Sequence, residues 1–457
     1  MRSWQDGDKG LLTILAAWMI TVDQNNYNNG ILLQRGKVPE ICLFILVSLA
    51  LLVACQPVLD FQIALETDES EPVLGKVVYI TGGDVWIYDL DTTQTVRLTQ
   101  DGYNSHPQWA SDGNRIAFRK KDQLWAMELT AKQAFPVSEL PVEWFSWSSS
   151  SSRLIYFTRG EGLRIWDVTN NIARTAIPIS PDYSIENFVW DNRGETLVFN
   201  KGSIVDGLYV VSLEKIDLEQ NDTATLYKTS NMREIPLIGE VSPGGQWLAF
   251  WRWDTDIIFF EKEGLPLCMI SVSSGQAHCT ASKAIPSREF LDWSLEGQLA
   301  YFTIEQKLFV IDPKRPSEQF QVDLAHQSPI YPAWAPDGER IAYSATAIGA
   351  GNLSNVQKQG NACIPRRIWV IEVGSKRLNQ LTNDNRFCDE LPFWSVDGKH
   401  ILFARQDKEN ASLWLMRSNG EGITQIVSEL TPKPEPLGEY GYIDWQAWWD
   451  WWRPDAP

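Results

Sequence analysis

Hydrophobic positions along the 457-residue chain come in short alternating or continuous bursts bounded by Gly, Asp, Asn and Ser, the pattern of strands and turns. One burst recurs. In YPAWAPDGERIAYS, Trp334 is followed by Asp337-Gly338 and then by Ile341-Ala342-Tyr343. The same frame returns at Trp109 (ASDGNRIAF), Trp147 (SSSSSRLIYF), Trp190 (DNRGETLVF), Val241 (SPGGQWLAF), Trp293 (SLEGQLAYF) and Trp394 (SVDGKHILF), making seven copies. Six of them place glycine four residues after the frame position, at Gly113, Gly194, Gly245, Gly297, Gly338 and Gly398; Ser151 is the exception. Glycine accepts the positive φ of a tight turn, so each copy predicts strand, turn, strand.

A third short apolar run follows each hairpin: Leu124-Trp125, Leu163-Arg164-Ile165, Leu208-Tyr209, Leu267-Cys268, Leu308-Phe309, Ile368-Trp369 and Leu413-Trp414. A fourth, weaker run often ends in Leu-Thr, as at Leu381-Thr382. Four antiparallel strands in every ~40 to 50 residues form the unit of a β-propeller blade. The W-[SA]-x-[DE]-G frame resembles the TolB-like, WD-like propeller repeats of bacterial envelope proteins, which also occur in some prolyl-type peptidases. The resemblance covers residues 75–448 and implies an all-β propeller. It does not imply one activity, because propellers host unrelated functions.

Residues Gly75 to Thr99 supply strands two, three and four of a blade with no tryptophan-bearing first strand before them. At the far end, GYIDWQAW has a tryptophan, Trp445, in strand context without a hairpin partner after it. Pairing the two ends closes the ring and removes exposed sheet edges. This predicts eight four-stranded blades with Trp445 as the ring-closing position. Seven blades is the alternative if the Val241 copy forms no blade of its own. On this reading residues 449–457 are a tryptophan-rich tail, and Trp448, Trp449, Trp451 and Trp452 have no place in the repeat; a membrane or sugar role is open to those four.

The N-terminal region predicts export. Arg35 and Lys37 precede fourteen mostly apolar residues, Ile41 to Ala54, a run too short for a stable spanning helix but fitting a signal peptide. Leu52-Val53-Ala54-Cys55 resembles the bacterial lipobox, which implies lipidation of Cys55 and an exported, membrane-anchored protein on the extracytoplasmic side. Residues 1–54 are then a signal region, extended by an upstream start, and 55–74 an acidic linker. Beyond Cys42 and Cys55 the chain has four cysteines, Cys268, Cys279, Cys363 and Cys388. An even count in an exported protein favours disulfides. Cys268 and Cys279 flank the turn-like SVSSGQ, which leaves Cys363 for Cys388.

Charge narrows the partners. With 40 Lys and Arg against 58 Asp and Glu the formal net charge is −18, a field that repels phosphate backbones, so nucleic acid is not expected. The four histidines, His106, His278, His326 and His400, fall in different copies, and each Asp-Gly turn offers one carboxylate where calcium needs six to eight oxygens. No metal or other cofactor is predicted. No G-x-S-x-G elbow or separate hydrolase domain accompanies the repeats, so no catalytic residue is assigned. Just before the frame position, first strands carry Glu240, Asp292 and Asp444, candidate channel contacts for a cation or basic peptide. The insertion Ala345 to Arg367 is the longest irregular segment in the ring, a second candidate for binding. The expected function is a non-catalytic protein-binding or scaffolding module of the cell envelope. The alternative is a glycan partner, through a carbohydrate-binding or polysaccharide-lyase-type propeller.

Overall fold

The computed structural model describes residues 74–148, 152–191, 194–229, 233–258, 263–324, 327–347, 363–434 and 443–454. The signal region, Cys55, nearly all of the acidic linker and most of the Ala345 to Arg367 insertion lie outside these residues. The described strands form eight four-stranded antiparallel sheets, each a blade of a β-propeller. Two single 3-10 turns, Arg288–Phe290 and Trp445–Ala447, lie between strands.

We number the blades along the chain. Blades 2 to 8 begin with the first strands Asn104–Trp109, Trp144–Trp147, Tyr183–Trp190, Glu234–Val241, Leu291–Trp293, Gln327–Trp334 and Cys388–Trp394, respectively. Every sequence repeat is therefore a blade, including the Val241 copy, and the seven-blade alternative does not hold. The glycine of the frame makes the predicted turn: Gly113, Gly194, Gly245, Gly297, Gly338 and Gly398 all have positive φ, between 64° and 85°. Turn aspartates serve the same hairpins. Asp112, Asp337 and Asp397 each accept the backbone N–H two residues on, at 2.9, 2.9 and 3.0 Å, so turn formation already uses their oxygens.

Four frame tryptophans bolt neighbouring blades together. The indole N–H of Trp147 donates to Gln108 O, Trp190 to Ser146 O, Trp293 to Glu240 O and Trp394 to Ala333 O, at 3.0 to 3.2 Å. In each case the acceptor is the residue before the frame position of the preceding blade. The aromatic body fills the inter-blade core while its one polar atom is satisfied.

Blade 1 is the composite one. Its strands Lys76–Thr81, Asp84–Asp89 and Gln94–Arg97 are completed by Trp449–Trp452, paired antiparallel as Lys76 with Trp452, Val77 with Trp451, Val78 with Asp450 and Tyr79 with Trp449. Closure by the two chain ends is thus as expected, but not at Trp445. Two Asp-Trp pairs lie close together, Asp444-Trp445 and Asp450-Trp451, and the second occupies the frame. Asp450 Oδ2 accepts the N–H of Trp109 at 2.8 Å, as Asp292 Oδ2 accepts that of Trp334 at 2.6 Å. Trp451 stands opposite Val77 as Trp109 stands opposite Ile116. The propeller therefore runs to Trp452, and residues 449–452 are its last strand instead of part of a tail. Trp445 is buried at 2% exposure in the 3-10 turn, with its indole on Glu390 Oε2 at 3.2 Å. Trp452 donates to Ser111 O at 3.1 Å and lies against Gly113, where a Cβ would come within 2.2 Å of its ring.

Both expected disulfides are present. Cys268 and Cys279 are cross-strand partners in blade 5 with Cα atoms 3.9 Å apart, and Cys363 joins Cys388 across 6.2 Å.

Removing the closing strand tests this arrangement. Trp451→Ala should cost about 3–5 kcal/mol through the buried volume lost, and a chain ending at Trp448 should lose more, measured as a fall in the urea unfolding midpoint. An unchanged midpoint in the truncated chain would refute closure by residues 449–452.

Candidate functional site

The first strands line the central channel, and a repeated irregularity shapes its wall. In five blades the pairing slips by a β-bulge shortly before the frame position, between Ser105/Gln108, Ile185/Phe188, Ile238/Val241, Ile330/Ala333 and Glu390/Phe393. His106, Tyr331 and Leu391, three residues ahead of their tryptophans, take positive φ there, between 52° and 56°. A bulge re-aims side chains. The same position supplies His106, Trp144 and Asn187 to the upper channel and Leu391 to the lower.

The upper chamber encloses about 680 Å³ and is walled chiefly by blades 2 to 5. Its polar groups include His106, Arg119, Glu186, Glu240, Arg288 and Asp444, with Trp144 and Phe188 as aromatic walls. A lower chamber of about 340 Å³ lies toward blades 8 and 1, bordered by Phe393, Trp449, Trp451 and Arg453. Gln108, Trp147, Arg288 and Gln446 border both, so the two chambers adjoin along the channel. At the lower end Arg453 donates to Trp394 O at 2.9 Å, and its guanidinium lies 5.5 Å from the Trp451 ring and 5.8 Å from that of Phe393.

Three carboxyls in or beside this lumen, those of Glu240, Asp292 and Asp450, are displaced from their usual range. Protein surrounds Glu240, while part of its own surface still faces the channel. Burial, together with the charge of Asp292, pushes Glu240 up to about 8 against the pull of Arg288. Burial likewise raises Asp292 to about 7 and raises Asp450, in both cases against two backbone N–H donors and Arg453. Burial, and then the neighbouring Arg119, hold His106 below the usual imidazole range despite Asp444. Its Nδ1 lies 3.0 Å from Ser105 Oγ, and its Nε2 lies 3.8 Å from Asp444 Oδ2. The second distance exceeds a hydrogen bond, and Ser105 does not border the chamber, so the three do not assemble a nucleophile facing the lumen.

Of the acidic residues expected at the channel, Glu240 and Asp444 border the upper chamber. Asp292 is committed elsewhere, since its carboxylate holds the Trp334 N–H between blades. Asp450, its true repeat equivalent, was hidden by the earlier Asp444-Trp445 pair. His106 and Arg119 of blade 2, Arg288 of the 3-10 turn before blade 6 and Arg453 after the closing strand escape a reading by motif because the folded ring brings distant segments together. The one signal available for them is the position three before the frame tryptophan, which selects His106, Trp144 and Asn187.

No protein-family model and no curated protein matches the chain. Solved structures do resemble it. Dipeptidyl peptidase 4 of Porphyromonas gingivalis aligns at TM-score 0.54 and 10% identity, over 75% of this chain and 56% of that one. An oligogalacturonate lyase in complex with manganese aligns at 0.45 and 13%, over 77% and 85%. TolB from Acinetobacter baumannii aligns at 0.37 and 12%, over 78% and 64%. The shared feature is the β-propeller. At such identities the likeness concerns the fold and not the activity.

The lumen makes a pH prediction. Glu240 titrates near 8 in the folded chain and at about 4.3 unfolded, so between these values the folded state holds the extra proton. Its contribution to stability is therefore present at low pH and lost as pH rises toward 8. Glu240→Gln should match the parent's stability trend below about pH 5 and gain on the parent progressively up to about pH 8. Urea midpoints across that range would measure this, and a pH-independent difference would refute it.

Proposed function

We propose that this propeller is a non-catalytic binding module of the bacterial cell envelope. It is exported, held at the membrane by a lipid on Cys55, and takes a protein or peptide ligand at the mouth of its channel. The observation that carries this reading is the state of the groups facing the upper chamber. Glu186 accepts the hydroxyl of Tyr209, Glu143 pairs with Arg159, and Arg119 donates to Glu143 O at 2.6 Å. Side chains held by such structural partners present a fixed pattern of charge and hydrogen-bonding groups, which suits recognition more than activation of a nucleophile. The surrounding net charge of −18 favours a basic ligand segment.

One observation favours the second reading, a carbohydrate ligand. Trp144 offers an aromatic face beside Gln108, Asn187 and Arg119 in the same chamber, the combination of ring and planar polar groups that suits a sugar.

Affinity capture of the full chain from native membranes, followed by mass spectrometry, tests the first reading. The expected result is a lipid on Cys55 and a co-purifying envelope protein whose recovery falls several-fold in Trp144→Ala. Cys55→Ser should move the chain from the membrane to the soluble fraction. A chain that retains no protein but binds a defined saccharide on a glycan array would transfer support to the second reading.

A further inference from the structure

Blade 4 departs from its neighbours in one respect. Its second and third strands, Thr196–Val205 and Leu208–Asp217, have ten residues each, where those of blade 3 have six and those of blade 5 have eight and seven. The turn Asp206-Gly207, with φ of 50° and 78°, joins them in an elongated hairpin. Burial does not explain the extra length: Ile204, Leu208 and Tyr209 near the tip are 67%, 50% and 44% exposed.

Beside this hairpin a groove of about 460 Å³ runs between blades 3 and 4. Trp144 and Phe157 stack in its wall with ring centroids 4.7 Å apart. Ile179, 53% exposed, lies along it, and Leu140, 38% exposed, lies against Gly160 next to the groove residue Arg159. These two and the three hairpin residues make five of the eleven large hydrophobics that the described surface exposes. Such clustering on one sector marks an interaction surface.

The hairpin is fastened to the groove. Tyr209 reaches over Gly202, where a Cβ would come within 2.0 Å of the phenol oxygen, and its hydroxyl meets Ser184 Oγ at 2.7 Å as well as Glu186. Lys201, on the same strand, sits 4.9 Å from the Tyr183 ring. The apolar tip is thereby held at a fixed position beside the cleft. At its inner end the groove shares Glu143, Trp144 and Glu186 with the upper chamber, so it adjoins the channel mouth.

We infer that this groove and the blade 4 hairpin form the docking surface for an extended segment of a partner protein, with apolar residues over Ile179, Leu208 and Ile204 and a lysine or arginine pointing inward to Glu186 and Glu143. This rests on the binding-module reading and specifies its ligand. Charge complementarity selects the occupant: the groove lining carries two carboxylates, Glu143 and Glu186, against one arginine, Arg159, within a chain of net charge −18. An apolar segment carrying a cation satisfies both ends of the groove. An anionic lipid surface would meet those carboxylates unfavourably.

The test uses random linear peptides displayed on phage and selected on the immobilised full chain. Selected sequences should combine two or more large apolar residues with Lys or Arg. Ile204→Ser with Leu208→Ser changes only exposed side chains, so the thermal midpoint should stay put while affinity falls roughly tenfold or more. Glu186→Gln should weaken binding several-fold and flatten its salt dependence. Peptides that bind the double variant as tightly as the parent, yet are lost in Asp444→Lys, would overturn the groove and leave the channel reading intact. Failure to select any peptide would count against both. Mass doubling in light scattering that the double variant abolishes would instead assign the surface to a second copy of this chain.

Discussion

Four residues at the far end of the chain, Trp449–Trp452, pair with Lys76–Tyr79, and the integrity of the ring depends on that ladder. Blades touch only their neighbours, so a gap between the first and last would leave inter-blade apolar faces and strand edges open to solvent. The closing strand acts on both sides of the seam. Trp451 donates to Leu74 O at 2.8 Å within the composite blade, Asp450 holds Trp109 of blade 2, and Arg453 reaches Trp394 of blade 8. The largest apolar cluster of the described residues gathers Trp445, Trp449 and Trp451 with the cores of blades 1, 6, 7 and 8.

A buried polar network positions the segment that leads into this strand. Arg366 pairs with Glu390, side chains 3% and 2% exposed, and Arg405 pairs with Asp389, 6% and 0% exposed. Glu390 also accepts the Trp445 indole, while Tyr331 contacts both backbone polar groups of Ile443, at 2.8 and 3.2 Å. Buried pairs of this kind contribute little net stability over apolar substitutes, and we read them as devices of specificity. They direct Ile443–Trp445 into one place, from which the following residues meet blade 1 in register. The Cys363–Cys388 bridge constrains the same region, since Cys388 opens the first strand of blade 8.

Closure and channel chemistry are coupled. The same Asp450 and Arg453 that secure the seam border the lower chamber, and Asp292 is used to join blades 6 and 7. Their carboxyls are raised because inter-blade joints sit where the walls converge and solvation is poorest. Groups free to meet a ligand lie higher, where the wall opens toward blades 2 to 5 and the groove beside the blade 4 hairpin enters.

Much of this protein was legible in its sequence. The frame at Trp109, Trp147, Trp190, Val241, Trp293, Trp334 and Trp394 determined seven hairpins, because in six of them glycine at a fixed offset imposes a turn through local backbone geometry and the seventh follows the same apolar pattern. The three strands at Gly75 to Thr99, lacking a first strand, determined that the two ends must join, and cysteine spacing determined the disulfide partners. Tertiary structure decided which of two Asp-Trp pairs closes the ring, since Trp445 and Trp451 have similar neighbours in sequence and differ only in whether Glu390 or Val77 faces them. It also decided the candidate site. His106 and Arg119 come from blade 2, Glu186 from blade 4, Glu240 from blade 5 and Arg288 from the 3-10 turn before blade 6; no local rule connects residues whose proximity arises from the radial packing of separate sheets.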